Sequence, residues 1–80
     1  MEEFTVIDRG ITYRIEQVEE GGYFGEVVGL ETCLTDGLTI DETIQNLREV
    51  LVMYLEVADE EGLPVPAEIR SALRERRVSA

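Results

Sequence analysis

Eighty residues carrying 18 acids, 7 arginines, no histidine and no lysine, for a net charge of −11, make room for one small domain. They also lack the commonest general base and metal ligand, and the Schiff-base nucleophile. A single cysteine excludes an internal disulfide, and a chain this short buries only about 60% of its unfolded surface, so a homo-oligomer, a dimer or larger, is the expectation.

The start, MEEFTVID, has neither the basic nor the apolar region of a secretory signal. Nothing in the chain approaches the roughly 18 uncharged apolar residues of a membrane span. The protein is therefore expected to be cytoplasmic, away from membranes, with a reduced thiol. Charge is uneven along the chain. Residues 1–66 hold 16 acids and 3 arginines, a net −13, whereas residues 67–80 hold 4 arginines and 2 acids, a net +2. Such a body repels phosphates and suits a basic partner, so nucleic-acid binding by the body is not expected.

Phe4-Thr5-Val6-Ile7 predicts a first strand, turned by Asp8-Arg9-Gly10 into a second that begins at Ile11. In the second, Ile11, Tyr13 and Ile15 alternate with polar residues and predict one buried face. Gly21-Gly22 predicts a tight hairpin, and it leads into a strand instead of the helix a phosphate loop needs. From Tyr23 to Leu30 the alternation places Tyr23, Gly25 and Val27 on one side, with Phe24, Glu26, Val28 and Leu30 on the other. Gly25 in mid-strand predicts a helix packed across it. Cys33-Leu34-Thr35 predicts a short further strand before the Asp36-Gly37 turn.

Thr39-Ile40-Asp41-Glu42 reads as a capping box, with Thr39 capping Glu42 and Glu42 reaching back to Thr39. Ile40, Ile44, Leu47, Leu51, Tyr54 and Ala58 then form one helical stripe, which Val50, Leu55 and Val57 broaden to more than one buried side. Gly62 ends the helix, and Pro64 and Pro66 forbid its continuation. Beyond residue 66 the Arg-rich segment 67–80 is a short helix or a tail. As a helix it sets Ile69 and Leu73 on one side and lines up Arg70, Arg74 and Arg77. The fold class is α+β: three or four antiparallel strands packed on one long helix.

No group of residues assembles an active site. Cys33 has neutral and acidic neighbours and reads as a small buried hydrophobe. Glu16, Glu26 and Asp36 are the strand carboxylates that a two-metal nuclease would need to gather, and a solvated acidic face explains them better. Tyr23 and Phe24 lack basic neighbours and read as cross-strand packing in preference to base stacking. No cofactor or metal site is expected.

Gly21-Gly22-Tyr23, Val27, Leu30, Cys33, Thr35-x-Gly37-x-Thr39, Glu42, Asn46, Glu49, Tyr54-Leu55 and Gly62-x-Pro64-x-Pro66 together resemble the HicB-like antitoxin family over roughly residues 11–66. The resemblance implies a partly degraded RNase H-like fold without nuclease activity. It also implies a domain over residues 1–66 that neutralises a small basic mRNA-cleaving toxin by covering its RNA-binding surface. Glu26, Glu31 and Asp36, which flank the strand and loop region, are the candidate contacts. Where the family has Pro-Asp-Leu-Pro-Gly-Cys, this chain has Val28-Gly29-Leu30-Glu31-Thr32-Cys33, and Glu20 stands for the usual aspartate. Fourteen residues after Pro66 are too few for the DNA-binding domain that many members carry. The alternative is a stand-alone oligomer with no cognate toxin, binding another protein or a small ligand.

Overall fold

The structure is a computed structural model that describes residues 2–72, and for Glu31 the backbone alone. Four strands, β1 (Glu3–Asp8), β2 (Ile11–Gln17), β3 (Tyr23–Val27) and β4 (Leu30–Gly37), precede one helix, α1 (Ile40–Glu61). The strands form one antiparallel sheet in the order β1-β2-β3-β4, so consecutive strands are neighbours and β1 and β4 are the edges. The expected α+β class holds, with four strands and the single long helix.

Each connection follows from its residues. Asp8 pairs with Ile11 across Arg9-Gly10, where both central residues adopt positive φ, 52° and 87°, as a two-residue hairpin of matching twist demands. At the next turn Gly21 and Gly22 sit at φ 98° and 88°. The amide of Val18 donates to the carbonyl of Gly22 at 3.1 Å, and that of Gly21 to Val18 at 3.0 Å. The glycines are a turn, as their order predicted.

The third connection departs from the expected pattern. Alternation alone carries β3 on to Leu30, but the chain turns at Val28-Gly29, with Gly29 at φ 98°. It resumes at Leu30, opposite Val27, with a register shift beside Glu26. The turn gives β4 eight residues instead of a short stretch around Cys33, and it brings Leu30 to the buried side, where it is 6% exposed.

The core lies between α1 and one face of the sheet. Ile11, Tyr13, Ile15, Val27, Leu30 and Cys33 meet Ile44, Leu47 and Leu51 there. Glycine sets how close the helix can come. A Cβ at Gly25 would stand 2.8 Å from Leu47 Cδ1, and one at Gly37 would stand 2.6 Å from Thr43 Oγ1 and 2.8 Å from the Thr43 backbone nitrogen. Those separations are inside van der Waals contact: a side chain at Gly37 would press on the backbone of α1, and one at Gly25 would force aside the packed ends of Leu47, Thr43 and Ile15.

Thr39 caps α1, its hydroxyl accepting from the Glu42 amide at 3.0 Å. The Glu42 carboxylate reaches back one residue further than expected and accepts from the Leu38 amide at 2.9 Å. Gly62, left-handed at φ 69°, closes the helix. The predicted stripe is the buried one: Ile44, Leu47, Leu51 and Ala58 are buried, and Ile40 and Tyr54 are half-buried. Val50 and Leu55 pack at its margins. Burial on further sides does not follow, since Val52, Met53 and Val57 are exposed. Two polar ties bracket the helix. Asn46 Nδ2 donates to the Asp36 carbonyl on β4 at 2.9 Å, and Arg48 pairs with Asp8 on β1, which with Tyr13 holds the guanidinium firmly charged.

Residues 67–72 are helical, and Ile69 and Ala72 join the core cluster. Arg70 pairs with Asp59 of α1 at 2.8 Å. Leu73, Arg74 and Arg77 lie outside the described residues. Among the described residues no helix is long and apolar enough to cross a membrane.

Candidate functional site

Alternation that turns one face of the sheet inward turns the other outward. On β2 the outward residues are Thr12, Arg14 and Glu16; on β3 they are Phe24 and Glu26, and on β4 Leu34 and Asp36. Pairing aligns them in cross-strand rows. One row runs Glu3, Glu16, Phe24, Asp36, and the next runs Thr5, Arg14, Glu26, Leu34. The helix packs on the opposite face, and no described element covers these rows.

The two rows differ electrostatically. In the second, Arg14 Nη1 meets Glu26 Oε1 at 2.7 Å, so that row is internally neutralised. In the first, Glu3, Glu16 and Asp36 take part in none of the ion pairs among the described residues. Apolar side chains share the face: Phe24 is 42% exposed and Leu34 43%. At its far end Ile7 is 72% exposed. The uncovered face thus mixes unpaired carboxylates with large exposed apolar groups.

Two of the three predicted contacts, Glu26 and Asp36, share this face on neighbouring strands, but they are not equivalent. Glu26 is half-buried and engaged by Arg14, whereas Asp36 is exposed. Glu31 lies on β4 with its side chain outside the described residues. Glu16 was visible in the sequence only as a metal-ligand candidate; its position beside Phe24 depends on the β2–β3 register. Tyr23 and Phe24 part company. Tyr23 packs against the core, while Phe24 stands outward between Glu16 and Asp36, so the shared cross-strand packing expected of both holds for Tyr23 against the core alone.

The strand carboxylates do not gather into a ligand set. Among the described residues no group of three or more His, Cys, Asp or Glu could hold a metal ion. Cys33 is 1% exposed, and its burial pushes the thiol's pKa up, away from the thiolate that nucleophilic chemistry needs. The residues that carry the HicB-like resemblance have structural duties. Gly21, Gly22 and Gly62 shape turns, Gly25 and Gly37 admit the helix, and Thr39 and Glu42 cap it. Leu30 and Cys33, the two residues of segment 28–33 that fit the family pattern, are both core residues. Pro64 with Val65 and Pro66 forms one wall of an open groove closed by Gly29, Leu30, Thr32 and Tyr54.

The chain is similar in sequence to two proteins from Synechocystis. UPF0150 protein ssr1258 is 52% identical over 42 residues, 52% of this chain and 61% of its own length. UPF0150 protein ssr1765 is 37% identical over 57 residues, 71% of this chain and 72% of its own. The chain thus spans about three fifths of the first relative and nearly three quarters of the second. Neither name states an activity, ligand or partner. No model of a known protein family matches the chain, and no solved structure matches it.

Proposed function

The chain belongs to the UPF0150 family, and from that premise we propose that it is a non-catalytic protein-binding module, acting as a HicB-type antitoxin on a small basic mRNA-cleaving toxin. The observation that carries this reading is the uncovered outer face of the sheet, with Glu3, Glu16 and Asp36 in no ion pair among the described residues. A toxin that grips RNA must present cations, and such a surface complements this one in sign. Complementary charge speeds encounter and rejects acidic competitors. Covering the toxin's RNA-binding surface is then sufficient for neutralisation.

Co-expression with the small basic protein encoded beside this gene, where there is one, tests the reading. A co-purifying complex in which mRNA cleavage is suppressed supports it. Free partner with undiminished cleavage sinks it.

A second reading has its own support. Segment 28–33 departs from the HicB-like pattern, and it forms the β3–β4 turn and part of the groove wall beside Tyr54 and Pro64. On this reading the domain is a stand-alone oligomer that binds another protein or a small ligand. A gene with no toxin-like neighbour, and a chain that sediments as a dimer or larger alone, would favour it.

A further inference from the structure

The outer face also constrains what its partner must present, and this rests on the protein-binding reading above. In the row Glu3, Glu16, Phe24, Asp36, the aromatic ring has a carboxylate on each side, one strand away on β2 and on β4, a spacing of about 5 Å. The ring is 42% exposed, both carboxylates are exposed, and the nearest cation on the face, Arg14, is already engaged by Glu26 at 2.7 Å. We infer that Phe24, flanked by Glu16 and Asp36, is the anchor point for an arginine side chain of a basic protein partner.

The chemistry favours arginine. A guanidinium plane lies flat on a ring face while its fork of N–H groups donates sideways to carboxylates. An ammonium is a point charge that satisfies one carboxylate at a time and holds its water more tightly. Leu34, on the neighbouring row and 43% exposed, extends the apolar floor beside the anchor for the stem of such a side chain.

Charge selects among the occupants this face could take. A second copy laid face to face would oppose one unpaired acidic row with another, and nucleic acid would bring phosphates to carboxylates. The face is about four strands by six residues, roughly 400 Å², or about half of what one partner contributes to a standard interface. A basic partner therefore reaches past it onto neighbouring surface, and the encounter is salt-sensitive.

An arginine-rich nonapeptide and its lysine counterpart, titrated into the ¹⁵N-labelled full chain, provide the test. Shifts should centre on Glu16, Phe24 and Asp36. The arginine peptide should bind several-fold tighter than the lysine one, and Phe24→Leu should weaken it by about fivefold. The pair Glu16→Gln and Asp36→Asn should weaken it by about tenfold, whereas Glu56→Gln with Glu60→Gln on α1 should change it less than about twofold. Shifts centred on α1, equal affinity for both peptides with no effect of Phe24→Leu, or self-association through this face would each overturn the assignment. A toxin complex that forms undiminished with Phe24→Leu would overturn it too while leaving the protein-binding reading intact. Failure of any toxin complex, with the peptide still mapping to Phe24, would do the reverse.

Discussion

The two faces of the sheet share one backbone and differ in what alternate residues carry. On the inner face Ile11, Tyr13, Ile15 and Val27 are buried against α1, and two glycines let the helix lie closer than any side chain would permit. On the outer face the same strands present Glu16, Phe24, Glu26, Leu34 and Asp36 to solvent, with one internal ion pair and a row of unpaired carboxylates. Stability therefore resides on one side, and the proposed recognition would use the other. In a chain this small the separation matters, since there is little spare burial to support a surface devoted to a partner.

Substitutions can break that division, and the largest effect belongs inside. Leu47→Ala removes a fully buried side chain and should cost about 2–5 kcal/mol in urea unfolding. A loss below about 1 kcal/mol would mean that α1 is not seated as described. The two glycines come next, at about 1–3 kcal/mol each for substitution by alanine. Gly37→Ala should be the worse, because its Cβ meets the backbone of Thr43, whereas that at Gly25 meets the ends of side chains. Equal costs would show that α1 shifts as a rigid body.

Thr39→Ala removes the cap on the Glu42 amide and should cost about 1 kcal/mol. Thermal melts would register that as a loss of several degrees.

Cys33 supplies a pH test of the inner face. Burial raises its folded pKa, so the folded state keeps its proton to higher pH than the unfolded state does. The contribution is fully present below the unfolded thiol pKa and is lost as pH climbs through the folded one. Stability should therefore fall in the alkaline range, and Cys33→Ala should flatten that fall; an unchanged slope would place the thiol in water. The smallest effect belongs outside. Leu34→Ser and Phe24→Ser should move stability by no more than about 0.5 kcal/mol, and a larger loss from either would show that the outer face is covered.

Much of this division was legible in the residues. Period-two spacing in β2 and the run from Ile40 to Ala58 each report burial directly, because neighbours in sequence decide which side of a strand or helix a residue occupies. The Gly-Gly turn and the Thr39 cap are equally local. The Val28-Gly29 turn was obscured because apolar and polar residues continue to alternate through it, so periodicity alone could not mark the reversal. The approach of Glu16 and Asp36 to Phe24 was hidden for a different reason. They lie 8 and 12 positions away in the chain, and only strand pairing makes them neighbours.

Local chemistry in the chain thus determined the elements, their buried sides, the turns at Gly10 and Gly22, and the net negative charge of residues 1–66. Tertiary structure decided which carboxylate is neutralised, which aromatic faces solvent, and that residues 67–72 join the core through Ile69 and Ala72. The reason is range. Dihedral preference and periodicity act within a turn or two, whereas the outer face is assembled across strands by a register that no single stretch of sequence contains.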